Sequence, residues 1–251
     1  MSQELEKYYL NVIEIILKLQ MEKKYSEAVE IIQEELQAPY IPLEFEGKLS
    51  ELLADVSFEI NEENEGNKFL KFTREELLEK IKIYSEGSIY AVMIFFERFK
   101  ADYKESEIKL LKNVLSLENV GNDLKIVILE QLKLNLFEGK CNFYSYSMKK
   151  NYEIDIQSQK FINEERIFIE TFSRTSNLYY DEPMTNDLAN NMIFAIYNHY
   201  FPDFSSIKSE KDLVVGLVQA LGVILGNQKA KDSTKLCKEI LNIMEKEKGR
   251  L

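Results

Sequence analysis

The residues of this chain that could do chemistry are few. They are one histidine, two cysteines and a short run of acids around a proline. His199 lies in Ile196-Tyr197-Asn198-His199-Tyr200. A single histidine excludes a two-histidine metal site, an HExxH helix and a zinc finger. A Ser-His-Asp or Cys-His relay would have to pass through His199, with Cys237 the nearer cysteine in sequence. Neither cysteine carries a catalytic signature. His199 is therefore expected to be a partly buried residue at a helix end, where an imidazole meets the negative end of the dipole. Cys141 and Cys237 form no CxxC pair, and two isolated cysteines fit a reducing cytosol. Only geometry can decide a disulfide between them.

Asp181, Glu182 and Asp187 surround Pro183 and are the candidate ligands for a divalent cation such as Mg²⁺. Acids in that position also cap a helix and favour its dipole. Residues 61–66, NEENEG, imitate the first half of an EF-hand loop, but Phe72 stands where the bidentate glutamate belongs. No GxxxxGK[ST] or GxGxxG occurs, so a glycine-rich phosphate loop has no support. With 43 acids in the chain, no carboxylate pair can be singled out as general acid and base. The expectation is no catalytic residue, no bound metal and no cofactor.

The chain has 251 residues and a net charge of −11. That balance argues against a nucleic-acid partner, which needs a basic face. The charge is unevenly placed. Residues 1–66 hold 16 acids and five bases, while the other 185 residues hold 27 of each. From Asn227 onward bases exceed acids by three. An acidic surface aids solubility and can also steer a basic partner.

The elements that must position these residues read as helices. Gly is 9 and Pro is 4, too few for the many turns of a β-sandwich or barrel. Leu5, Tyr9, Val12, Ile16 and Leu19 recur at helical spacing. Ser26 is expected to cap a second helix with Ala28, Ile31, Ile32 and Leu36 on its face. Pro39 ends it and Pro42 opens a third, expected to reach about Ile60. The polar residues 61–68 read as a loop. Thr73 to Glu76 reads as a capping box. The helix it opens carries Leu77, Leu78 and Ile81 and breaks at 85–88, and further helices are expected at about 88–101, 105–117, 122–137, 162–173, 185–200, 208–225 and 232–248. Residues 142–159 show a period of two and predict a β-hairpin. Gly216 and Gly222, in an apolar helix, predict a closely packed neighbour. Gly226-Asn227 predicts that helix's stop.

Two apolar runs, residues 89–96 and 213–226, are shorter than the roughly 20 residues of a membrane span. The start MSQELEKYYL lacks a basic segment before an apolar core, so no signal peptide is expected. These readings lead to a cytoplasmic protein with no membrane partner.

The segment Tyr25-Ser26-Glu27-Ala28-Val29-Glu30-Ile31-Ile32 resembles the second half of a tetratricopeptide repeat (TPR). There an aromatic, a small residue and an apolar residue pack helix on helix; here they are Tyr25, Ala28 and Ile32. Tyr103, Ser106 and Leu110 are a fainter echo. Ile16 and Glu35 depart from the repeat, standing where a glycine and a second small residue are usual. The longer run through Glu46, with its PYIP punctuation, resembles an uncharacterised family of mollicute-type proteins with a TPR-like helical fold. The resemblance implies the fold and no activity.

The fold expected is all-α: TPR-like antiparallel helix pairs forming an α-α superhelix, with a C-terminal helical bundle. Its divisions are a helical region at 1–138, a hairpin connector at 139–160 and a second helical region at 161–251. Two functions follow, from different classes. One is a non-catalytic interaction scaffold for a protein or peptide, including a basic one. Tyr8, Asn11, Glu14, Tyr40 and Glu44 are its candidate contacts. The other is a carboxylate- or metal-dependent enzyme on an all-α frame. A monomer and a homodimer joined through residues 213–226 are both open.

Overall fold

A computed structural model describes residues 3–38, 40–85, 87–100, 102–227 and 233–248. These residues form eleven helices and one two-stranded antiparallel sheet. The chain divides into two compact units, Met1–Glu75 and Glu76–Leu251.

The first unit holds α1 (Gln3–Met21), α2 (Tyr25–Leu36) and α3 (Leu43–Phe69). The stripe Tyr9, Val12 and Ile16 on α1 is buried with Ala28 and Ile32 of α2 and Phe45, Leu49 and Val56 of α3. α1 packs on α2, and α2 on α3. Between α1 and α2 the chain reverses in three residues. Lys23 adopts a left-handed φ of 57°, and Lys24 N–H reaches back to the Leu19 carbonyl at 2.9 Å. These are the bonds of a helix stop that usually employs glycine. α2 begins at Tyr25 with Lys24 as its cap, so Ser26 lies inside the first turn and is not the cap. Pro42 precedes α3, and its carbonyl accepts the first bonds from Phe45 and Glu46.

Residues 61–68 are helical, not a loop. Their lack of an apolar stripe suggested a break, yet the glutamates and Lys68 favour the helix and outweigh Gly66 and the three asparagines. The side chains of residues 60–67 lie outside the described ones. The calcium-loop imitation at 61–66 falls within this helix.

The second unit carries α4 (Arg74–Ile81), α5 (Gly87–Arg98), α6 (Glu105–Leu115) and α7 (Asn122–Leu134). The strands β1 (Lys140–Ser145) and β2 (Lys150–Asp155) follow. Then come α8 (Arg166–Leu178), α9 (Pro183–Tyr200), α10 (Glu210–Ile224) and α11 (Lys235–Lys248). α5 and α6 both pack on α7, and α6 also meets β1. α9 and α10 pack on each other, and each packs on both α8 and α11, with α9 also reaching α7. Thus the hairpin is held against helices, as a two-stranded ribbon in water must be. Its inner face sets Phe143 against Phe201 at 5.1 Å between ring centroids. Phe201 leads on to Tyr197, Phe161 and Phe204.

The glycines in α10 and just after it divide in role. A Cβ on Gly216 would lie 3.1–3.3 Å from Leu236 and Ile240 of α11, which is the close neighbour that the small residue requires. Gly226 takes φ 77°, and Asn227 N–H bonds back to Gly222. Leu213, Gly216, Leu217, Ala220 and Leu221 are buried within this unit. No helix among the described residues is long and apolar enough to cross a membrane.

Candidate functional site

The helical period of α2 sorts its residues into two sides. Ala28 and Ile32 have no exposed surface, while Glu27, Glu30 and Glu34 are all exposed. Residues three and four apart are neighbours on a helix surface, with Cβ atoms about 5–6 Å apart. The three carboxylates therefore form one acidic ridge along α2. Tyr25 is half-buried, and its hydroxyl donates to Glu59 on α3 at 3.4 Å.

α1 adds an exposed aromatic residue at its seam with α2. Tyr8 is 50% exposed, and its hydroxyl donates to Glu35 of α2 at 2.5 Å. The carboxylate that accepts this bond holds the Tyr8 phenol above its ordinary pKa. Tyr8 packs edge-on against Tyr9, which stacks on Phe45 at 5.1 Å. Asn11 and Glu14 are exposed on α1, and Tyr40 is 87% exposed in the α2–α3 connection. The side chain of Glu44 lies outside the described ones. Of the expected contacts, the structure joins Tyr8 to α2; Asn11 lies one turn along from Tyr8.

The second unit contains a polar centre of another kind. Lys125 is fully buried on α7. Its Nζ donates to the carbonyls of Leu117 at 2.5 Å and Tyr144 at 2.7 Å. Burial, reinforced by Lys149, pulls its pKa down to about 8. Beside it, the Asn122 carboxamide donates to Ser145 Oγ and to the Asn198 carbonyl, and it accepts from Tyr146 N–H at 2.8 Å. With no exposed surface and two main-chain acceptors, Lys125 ties α7 to β1 and offers no amine to a substrate.

Around α8 the ionic groups pair off. Lys133 reaches both carboxylate oxygens of Glu164 at 2.6 and 2.8 Å. Burial raises the Glu130 carboxyl and strongly raises the Tyr197 phenol. A groove of about 520 Å³ between α8 and the start of α10 is lined by Arg166, Arg174, Lys211, Glu170 and Glu210. Its arginines engage Glu170 at 2.5 Å and Glu210 at 3.4 Å.

One of the known protein families matches this chain along almost its whole length. The model described as "Protein of unknown function (DUF3196)" matches residues 1–247. The chain belongs to this family. A comparison with curated proteins found no match.

In this DUF3196 protein the acids around Pro183 stay apart. Asp181, Glu182 and Asp187 are exposed, and Glu182 is the residue before the first turn of α9. Among the described residues no three of His, Cys, Asp and Glu form a group that could hold a metal ion. His199 is half-buried at the end of α9, edge-on to Tyr200 at 5.0 Å. Both cysteines are free and buried, and burial pushes the Cys141 thiol up to about 11. Lys125 and Asn122 were not found by spacing, because their partners come from distant segments.

Proposed function

We propose that this DUF3196 protein is a non-catalytic interaction module, whose first unit recruits a basic protein or peptide. The carrying observation is the exposed ridge Glu27, Glu30 and Glu34, with its opposite side anchored by Ala28 and Ile32. A fixed row of like charges attracts a basic partner over a distance and sets its orientation on contact. The Tyr8–Glu35 pair at the α1–α2 seam and the exposed Tyr40 in the α2–α3 connection supply aromatic surface on the same unit. In this reading α1 and α2 form a TPR-like pair, with α3 stacked on it as the first helix of a following pair. Its support is the burial of Ala28 and Ile32 and the packing of α2 between its neighbours.

Salt tests the electrostatic part. The screening length falls from about 10 Å at 0.1 M to about 3 Å at 1 M. A partner retained from native lysate at low salt and released by high salt fits the proposal. Retention unaffected by salt contradicts it.

A further inference from the structure

The hairpin's register decides where each main-chain group of β2 points. Lys140 faces Asp155, Asn142 faces Glu153 and Tyr144 faces Asn151. One step beyond the strands, Ile156 N–H donates to the Gly139 carbonyl. Bonded and non-bonded pairs alternate along an antiparallel ladder. The bonded pairs are therefore Cys141–Ile154, Phe143–Tyr152 and Ser145–Lys150. The N–H and C=O groups of Asn151 and Glu153 point away from β1.

The two outer edges differ. On β1 the outward carbonyl of Tyr144 is taken by Lys125, and the Tyr146 N–H just past it by Asn122. On β2 the Asp155 carbonyl is taken by Gln159. Among the described residues no hydrogen bond reaches the outward main-chain groups of Asn151 and Glu153, and no third strand joins the sheet. Asn151, Glu153 and Asp155 are exposed. An edge of this kind is a template for one more strand.

The charges along this edge say which strand fits. Lys149, in the turn that leads into β2, and Lys150 stand at its beginning, and Glu153, which also holds Lys140 of its own hairpin at 2.6 Å, and Asp155 stand at its end. An antiparallel copy of the same strand sets the basic end of each against the acidic end of the other. We propose that β2 pairs antiparallel with β2 of a second copy, joining two hairpins into a four-stranded sheet across a two-fold axis. With the axis at Tyr152, Asn151 lies opposite Glu153 of the second copy, and the outward groups of both make four main-chain hydrogen bonds. Lys150 then lies opposite Ile154 of the second copy, and Lys149, in the left-handed turn just before the strand, lies toward the acidic end that closes on Asp155. The contact is self-complementary, as a two-fold interface requires. It is also small, so the association is weak.

Sedimentation velocity on the full chain tests this up to about 0.5 mM, a range suited to a small interface. The wild type is expected to shift from monomer to dimer with concentration. Lys149→Glu with Lys150→Glu makes the edge wholly acidic, and Glu153→Lys with Asp155→Lys makes it wholly basic. Each double variant is expected to stay monomeric alone, and the two mixed are expected to form a one-to-one dimer. A wild type that stays monomeric overturns the proposal. So does a double variant that still dimerises, or a mixture of folded variants that does not. Amide exchange on the wild type reads the same contact without substitution. Exchange at Asn151 and Glu153 is expected to slow as concentration rises, and exchange independent of concentration overturns the pairing.

Discussion

The Tyr8 hydroxyl donates to Glu35 across the α1–α2 pair at 2.5 Å. Tyr8→Phe keeps the ring beside Tyr9 and removes the bond. Because the pair is half exposed, the expected loss in urea unfolding is below about 1 kcal/mol. A larger loss would mean that the pair holds more of the unit than its exposure implies.

Lys125→Met tests the buried lysine through pH. The folded lysine releases its proton near 8, and the unfolded one near the ordinary 10.5. Between those values the unfolded chain binds more protons, so stability rises with pH through that window. The wild type is therefore expected to gain on Lys125→Met from about pH 8 to pH 10. A stability difference that is flat over this range contradicts the assigned shift.

Asn122→Ala removes three bonds that tie α7 to the hairpin and to α9. The Tyr146 N–H and the Asn198 carbonyl lose this partner, and an unsatisfied buried group costs about 1–3 kcal/mol. An overall loss of about 2–4 kcal/mol is expected, with faster exchange of the Tyr146 amide. Unchanged exchange there would show that Asn122 does not anchor the hairpin.

The cysteines give a test in the native state. Both are buried, and the Cys141 thiol titrates near 11. The thiolate is the reactive form, so neither should react quickly with a thiol reagent at pH 7 in the folded protein. Both should react at once in denaturant. A fast native phase would mark an accessible thiol.

The helices with strong apolar periods were legible in the sequence, because Tyr9, Val12 and Ile16, like Ala28 and Ile32, repeat at the spacing that buries one side. The hairpin was legible from alternation alone, although Lys149, not Asn-Gly, supplies its left-handed turn residue. Gly216 signalled a close neighbour but could not name α11. Residues 61–68 misled, since a helix without an apolar stripe has no periodic signature. The acidic ridge was visible as composition, and its sidedness needed the phase of α2. Lys125 was out of reach: a lysine reads as exposed until the carbonyls of Leu117 and Tyr144 are brought to it.

We propose that the α2 ridge recruits a basic partner. The proposal is tested most directly by passing native lysate over the immobilised wild type and over Glu27→Lys, Glu30→Lys, Glu34→Lys at low salt. These side chains are exposed, so the triple variant should keep the helical circular dichroism of the wild type. Basic proteins held by the wild type are expected to be lost from the folded variant. An identical set of proteins on both would contradict the proposal.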